Sequence, residues 1–249
     1  MIIDTHAHLG NCQVFDLEVG EEELLTAMDA HRVNAAIVFP FPGATDVPAT
    51  HDRISRLAQA HPGRIFGLAS VNPHLPPGEY AAEVRRCVRE LGFVGVKLHT
   101  IGHAVNPLSK DAQKVYEAAQ ELDVPVMAHT GLGVPFALPS LFLTVSRSYP
   151  QVKFVLAHAG YGMFTAEALA VARVCPNVYL ETSWCPAHMI GNLIRTLEPG
   201  RLVWGSDVPV NVGVELAKVE GLQPDFERRT AYLGSAAVEL FRLEGVWDG

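Results

Sequence analysis

The chain has 249 residues, a formal net charge of −8 at pH 7, 49% hydrophobic residues and 18% charged residues. This composition is typical of a globular protein, and the acidic balance argues against a general binder of nucleic acid or anionic membranes, because both reward a basic surface. No apolar run reaches the roughly 18 residues needed to cross a bilayer, and no basic, apolar leader precedes the first strand. We expect a cytoplasmic protein with no nucleic-acid and no membrane partner.

The number and spacing of the cysteines agree with a cytoplasmic protein. The four cysteines include no C-x-x-C pair, and their number and spacing do not suggest a secreted disulfide framework. We expect reduced, structural thiols, as is usual in the cytosol. They are Cys12, Cys87, Cys175 and Cys185.

One pattern repeats along the chain: an apolar strand, a turn with polar, Gly or Pro residues, and an amphipathic helix. The strands are rich in Val, Ile and Leu on both faces, as strands covered on both sides must be. The predicted strands are Ile2–His6, Asn34–Phe39, Ile65–Val71, Gly92–His99, Val124–His129, Lys153–His158, Asn177–Thr182 and Leu202–Ser206. The predicted helices are Glu21–His31, Thr50–His61, Pro77–Leu91, Ser109–Leu122, Phe136–Tyr149, Thr165–Val174, Ala187–Leu197 and Asp225–Leu243.

Strands that alternate with helices predict a parallel sheet with right-handed crossovers. Eight such units favour an α/β fold of the closed (β/α)8 TIM-barrel type over an open doubly wound sheet, which would need a Gly-rich phosphate loop that this sequence lacks. No linker or low-complexity segment interrupts the pattern, so we predict one domain over residues 1–249. Val208–Gln223 gives no clear element, and residues 246–249 are expected to form a short surface end.

Metal-competent residues recur where these strands end, which is where the active site of a (β/α)8 barrel lies. Each of these residues alone is more often structural than functional. Chance rarely places so many of them at the same position, the carboxyl end of successive strands. Three imidazoles and one carboxylate can hold a divalent transition ion and leave room for water. The strand-end residues are His6 and His8, which share a face as i and i+2, then Lys97 and His99, His129, His158, Thr182-Ser183-Trp184, and Asp207.

The ordered motifs resemble those of the amidohydrolase superfamily, and more narrowly the amidohydrolase-2 branch that includes aminocarboxymuconate semialdehyde decarboxylase. The resemblance spans essentially the whole chain. It implies one divalent transition metal, commonly zinc, bound by His6, His8, His129 and Asp207. It also implies that His158 is an acid/base or an electrophile that orients a substrate oxygen, and that Asp207 could take a proton from water in a hydrolase. The motifs are Ile3-Asp4-Thr5-His6-Ala7-His8, Gly95-Val96-Lys97-Leu98-His99, Ala157-His158-Ala159-Gly160 and Trp204-Gly205-Ser206-Asp207-Val208-Pro209.

Two residues of the fourth strand have open roles. In binuclear relatives a lysine at the place of Lys97 is carbamylated and bridges two metals. Alternatively Lys97 stays cationic and pairs with a substrate carboxylate or with Asp207, since burying an unpaired lysine is costly. We favour a mononuclear site with unmodified Lys97. His99 is either a substrate contact or a rim histidine without a role.

The loops at the same rim are less informative. Phe39–Gly43 and Asn72–His74 follow the second and third strands and could shape a pocket. Trp184 is either a pocket wall or a packing residue. No loop carries a cluster of arginines, so the sequence points to no phosphate or polycarboxylate clamp.

The first functional hypothesis is a metal-dependent hydrolase that uses a metal-activated water on an ester, lactone or amide of a small molecule. The alternative is a metal-dependent decarboxylase or hydratase of a small unsaturated or aromatic carboxylic acid with the same ligands. A TatD-like deoxyribonuclease is disfavoured because it expects an acidic residue where Lys97 stands, and a non-enzymatic barrel is disfavoured because no ligand is lost. A homodimer is left open.

Overall fold

The structure, a computed structural model, describes residues 1–246. The predicted domain and the predicted surface end both extend into residues 247–249, which lie outside the described range. The strands are β1 Ile3–Cys12, β2 Leu17–Val19, β3 Ala35–Pro40, β4 Ile65–Ala69, β5 Gly95–Leu98, β6 Val126–His129, β7 Phe154–Ala157, β8 Val178–Glu181 and β9 Leu202–Val203. The helices are α1 Glu21–Ala30, α2 Val47–Ala60, α3 Pro77–Arg89, α4 Lys110–Leu122, α5 Leu141–Ser148, α6 Thr165–Val174, α7 Ala187–Thr196, α8 Val212–Leu222, α9 Phe226–Thr230 and α10 Ala236–Phe241.

The strands form one sheet in the order β2-β1-β3-β4-β5-β6-β7-β8-β9, in which all pairs are parallel except β1 with β2. The sheet curls until its last strand meets its first. Ala7 and Asp207 form a parallel bridge, and the amide of Asp207 donates to the carbonyl of His6 at 2.7 Å. The predicted TIM barrel is confirmed.

A buried carboxylate reinforces this closure. Asp4 on β1, only 1% exposed, accepts hydrogen bonds from the backbone amide of Ser206 at 2.9 Å and from its hydroxyl at 2.5 Å. It also accepts from the amide of His6 at 3.1 Å. Burial raises the pKa of Asp4 to about 7, against the lowering effect of these hydrogen bonds. The link holds the segments that carry His6 and Asp207 side by side.

Apolar side chains fill both sides of the sheet, as the two-faced strand pattern predicts. One cluster lies inside the barrel and includes Ile37, Phe39 and Val155. A larger cluster packs between the sheet and the surrounding helices. Among the described residues no helix is long and apolar enough to cross a membrane, and all four cysteines are free and buried.

Apart from shifted element bounds, the sequence prediction and the structure differ most in three places. β1 continues past His6 to Cys12 because Gly10–Cys12 pairs with the short antiparallel strand β2, which the prediction lacked. Val208–Gln223 contains α8, whose pattern is weakened by two glycines, Gly213 and Gly221. The predicted helix Asp225–Leu243 is divided into α9, a π-helical turn over residues 231–235 and α10.

We predict that Asp4→Ala lowers the free energy of unfolding by about 2–4 kcal/mol, because it leaves the buried amides of His6 and Ser206 without their acceptor. Urea unfolding measures the difference. The control is Asp46→Ala, which removes an exposed N-cap from α2 and should cost about 1 kcal/mol. An Asp4→Ala cost no larger than that of the control would contradict the closing role of Asp4.

Candidate metal centre

His6, His8 and Asp207 converge at the carboxyl end of the barrel. The Nε2 atoms of His6 and His8 lie 3.0 and 3.3 Å from Oδ1 of Asp207. Their donor atoms all lie within 4.8 Å of one another. Both imidazoles are buried, and although burial opposes it, His6 helps to hold the pKa of Asp207 well below its usual range. Two imidazoles therefore face an ionised carboxylate, as in a divalent-metal site.

His129, the last residue of β6, offers a further nitrogen. Its Nε2 donates to the carbonyl of Leu132 at 3.0 Å, which leaves a lone pair on Nδ1 in the neutral ring. That Nδ1 is buried and has no hydrogen-bond partner among the described residues. A buried, unpaired acceptor is costly, and a metal ligand role would remove the cost. The donor set of three imidazoles and a carboxylate fits a divalent metal.

His158 follows β7 and lies with its ring centroid 4.8 Å from those of both His6 and His129. Its Nδ1 is 2.8 Å from the hydroxyl of Ser183, which itself donates to Glu181 at 3.0 Å. Because the serine hydrogen goes to the carboxylate, His158 must donate from Nδ1, which leaves the lone pair on Nε2. Burial holds the pKa of His158 well below its usual value, so the ring is neutral and can accept a proton at Nε2.

Glu181 is the functional residue that the sequence analysis missed. This fully buried carboxylate accepts from Nδ1 of His6 at 2.8 Å and from the amide of His158 at 3.1 Å, besides the hydroxyl of Ser183. It fixes His6 with Nε2 directed at the metal ligands, as outer carboxylates do in metal sites. Although burial opposes it, contact with His6 lowers the pKa of Glu181. The sequence signal that could have identified Glu181 is a charged residue at the end of an otherwise apolar strand.

Lys97 and His99 also lie at the centre. Lys97 is 1% exposed, with Nζ 3.1 Å from Nε2 of His6 and 4.5 Å from the centroid of Phe39. Burial lowers the pKa of Lys97 to about 8, although Asp207 and Glu181 oppose the shift. The Nδ1 of His99 accepts from the amide of Gly102 at 3.0 Å, so its Nε2 carries the hydrogen in the neutral ring. His99 is therefore a hydrogen-bond donor.

The rim includes left-handed backbones at His158, Trp184 and Asp207, a conformation that non-glycine residues rarely adopt. The φ angles are +65° for His158, +65° for Trp184 and +74° for Asp207. Such conformations cost of order 1 kcal/mol or more and persist only where the surroundings enforce them. At Trp184 the result is a hydrogen bond of 2.8 Å from the indole Nε1 to Oδ2 of Asp207.

A second group of metal-competent atoms lies between α2 and α3, at His51, Glu83 and Cys87. Its hydrogen bonds give it a structural role. The amide of Ser70 donates to Nε2 of His51 at 3.0 Å, so Nδ1 carries the hydrogen and donates to Glu83 at 2.8 Å. Arg86 also pairs with Glu83, which disfavours a metal cation there.

A family model described as amidohydrolase matches residues 3–243. The chain belongs to this family. One relative of this amidohydrolase is 2-keto-4-carboxy-3-hexenedioate hydratase of Sphingobium sp., which is 25% identical over 90% of this chain and 74% of its own length.

Solved structures share the fold at low identity. A TIM-barrel protein of Bordetella bronchiseptica has a TM-score of 0.82 and 16% identity, over 98% of this amidohydrolase and 99% of that chain. The 5-carboxyvanillate decarboxylase of Novosphingobium aromaticivorans, in complex with manganese and 4-hydroxy-3-methoxy-5-nitrobenzoic acid, has a TM-score of 0.79 and 16% identity, over 98% and 96% of the two chains.

We predict that Glu181→Gln weakens metal binding about 10- to 100-fold, because His6 loses its ionised acceptor. Ser183→Ala removes the hydroxyl that contacts His158 and Glu181 but keeps the ionised Glu181 on His6, so it should keep metal affinity within about twofold. Competition with a chromogenic chelator for Zn²⁺ or Mn²⁺ measures both, and thermal unfolding shows whether each variant is folded. Equal losses in the two variants would contradict the separate roles.

Proposed function

We propose that this amidohydrolase is a divalent-metal-dependent lyase that decarboxylates a small unsaturated or aromatic carboxylic acid. The observation that carries the proposal is that both oxygens of Asp207 are engaged. Oδ1 faces His6 and His8, and Oδ2 accepts from the indole of Trp184. The hydrolase hypothesis needs Asp207 to take a proton from water, and these contacts disfavour that role. Decarboxylation needs no such step.

Two of the relatives described above support the same choice, because they are a hydratase and a decarboxylase, both of carboxylic acids. The sequence analysis placed the hydrolase first and this lyase activity second. The order is reversed here.

The metal would be held by His6, His8, His129 and Asp207. When bound, a divalent ion supplies a Lewis acid that orients and polarises the substrate acid. Three imidazole ligands suit zinc, whereas the decarboxylase structure contains manganese. Metal analysis of the purified protein separates the two ions.

The side chains of the centre provide the rest of the chemistry. The reaction breaks the bond between the carboxylate and its carbon, releases carbon dioxide and adds one proton to that carbon. Neutral His158 can take up the proton of the substrate acid at Nε2 and pass it to that carbon, while Ser183 keeps the ring in place through Nδ1. Lys97, unmodified, places a positive charge near the acid. Lys97 and His158 are buried, so both groups act out of contact with bulk water.

A hydratase is the second candidate, favoured by the 25% identity to the Sphingobium hydratase. Hydration adds water across a carbon–carbon double bond and would use the same ligands. It differs from decarboxylation in its product, which retains every carbon of the substrate.

We predict that the metal-loaded protein releases labelled carbon dioxide from hydroxybenzoates carrying ¹³C in the carboxyl group. His158→Gln should lower the rate about 100-fold or more, because it removes the proton carrier. Mass spectrometry of the gas and of products formed in ¹⁸O water identifies the reaction. Incorporation of ¹⁸O into an unsaturated acid without release of carbon dioxide would replace the decarboxylase by the hydratase, and activity on esters alone would restore the hydrolase.

Trp184→Phe tests the observation on Asp207 directly. The variant keeps an aromatic ring but frees Oδ2, so we predict that side hydrolysis of p-nitrophenyl acetate rises about tenfold while carbon dioxide release falls. A spectrophotometric ester assay measures the change. If ester hydrolysis stays at the wild-type level, the hydrogen bond from Trp184 to Asp207 does not determine whether the centre favours lyase or hydrolase chemistry.

A further inference from the structure

The loops at the carboxyl rim carry no lysine and no arginine in the described part of the chain. Within those loops and the nine strands, Lys97 is the only such residue among residues 1–246. Two helix lysines reach the back of the rim, where Lys114 and Lys218 donate to the carbonyls of Leu75 and Cys185. The rim loops are residues 10–20, 41–46, 70–76, 99–109, 130–140, 158–164, 182–186 and 204–211.

Neither helix lysine is available to a ligand. Lys114 pairs with Asp111 at 3.0 Å and Lys218 with Glu215 at 2.7 Å, each on its own helix. The exposed charges on the rim loops are instead acidic and would repel an anion. They are Asp16, Glu18 and Asp46.

Aromatic side chains surround the centre in place of cations. Four loops each contribute one ring, and we name the set the aromatic collar. Two of these rings, those of Phe15 and Trp184, are 43% and 38% exposed, which leaves apolar surface open to a ligand. The aromatic collar consists of Phe15, Phe41, Tyr161 and Trp184.

Each ring of the collar touches the centre or another ring. Phe41 stacks on His8 with centroids 4.2 Å apart and planes at 6°. The Tyr161 ring lies 5.5 Å from that of His158 and stacks at 6.3 Å on Trp184. A planar ligand above the centre would therefore meet aromatic surface, which favours aromatic rings through both area and geometry.

We propose, resting on the lyase function above, that the substrate is an aromatic or conjugated acid with a single carboxylate. Its ring packs against the aromatic collar and its carboxylate lies toward Lys97 and the metal ligands. A second carboxylate would be desolvated against apolar side chains without a cationic partner, which is costly. This specificity differs from that of the Sphingobium relative, whose named substrate is a carboxy-substituted dioate.

The test is a matched pair of ligands, 3-hydroxybenzoate and 5-hydroxyisophthalate, which differ by one carboxylate. Titration calorimetry measures their binding to the full chain loaded with Mn²⁺. We expect 3-hydroxybenzoate to bind at least about tenfold more tightly, because the second carboxylate of the isophthalate would be desolvated without a cationic partner. Equal or tighter binding of the isophthalate, or no binding of either acid, would overturn the proposal.

Variants of the rim sharpen the result. Leu132→Arg adds a cation to the loop after β6, where Leu132 is 45% exposed, and should improve isophthalate binding about fivefold relative to hydroxybenzoate. Phe15→Ala should weaken hydroxybenzoate binding about fivefold. The control is Phe226→Ala, an 84% exposed aromatic on α9, which should leave binding unchanged. Equal effects of Phe15→Ala and Phe226→Ala would count against the aromatic collar.

Binding and turnover can fail separately. If carbon dioxide is released from the isophthalate as readily as from the hydroxybenzoate, the lyase stands and the single-carboxylate specificity is wrong. If hydroxybenzoate binds tightly but yields neither carbon dioxide nor a hydrated product, the specificity stands and the lyase is wrong.

Discussion

The carboxylate of Asp4 joins the first strand of the barrel to the segment after the last one. Its bonds to Ser206 connect positions 202 residues apart in sequence. Because Asp207 is the next residue and His6 lies two residues after Asp4, the same contacts bring the carboxylate and the imidazole of the metal centre together. The rest of the centre depends on this closure, since an open sheet would leave its first and last strands at opposite edges.

The candidate metal centre combines carboxylates and imidazoles that could bind a cation below the protein surface. Burial penalises every ion, so each buried charge must have partners. Glu181 accepts hydrogen bonds from His6, His158 and Ser183. Asp207 accepts one from Trp184 through Oδ2, and its Oδ1 lies beside Nε2 of His6 and of His8. The fully buried Glu181 and the partly buried Asp207, set against Lys97, leave an excess of negative charge, which a divalent ion would offset.

The strand–helix alternation and the strand-end residues could be predicted because each signal is local: apolar runs, turns and the residues that end them. The short strand β2 and helix α8 have weak local patterns and were missed. Glu181 was missed for a different reason. Its role depends on His6, 175 residues away across the barrel. The sequence could not separate a hydrolase from a lyase because all the motifs are shared, and the bond from Trp184 to Asp207 depends on a left-handed backbone that no motif specifies.

Glu181 has one consequence for the chemistry as a whole. The same oxygen, Oε2, accepts from His6, a proposed metal ligand, and from the amide of His158, the proposed proton carrier. Whatever withdraws electrons from His6 is therefore felt at His158, and the linkage is reciprocal, as thermodynamics requires for two binding equilibria. If His6 binds the ion and His158 carries the proton, the identity of the ion and the proton affinity of His158 are coupled, and exchanging one metal for another would shift the pH dependence of the reaction.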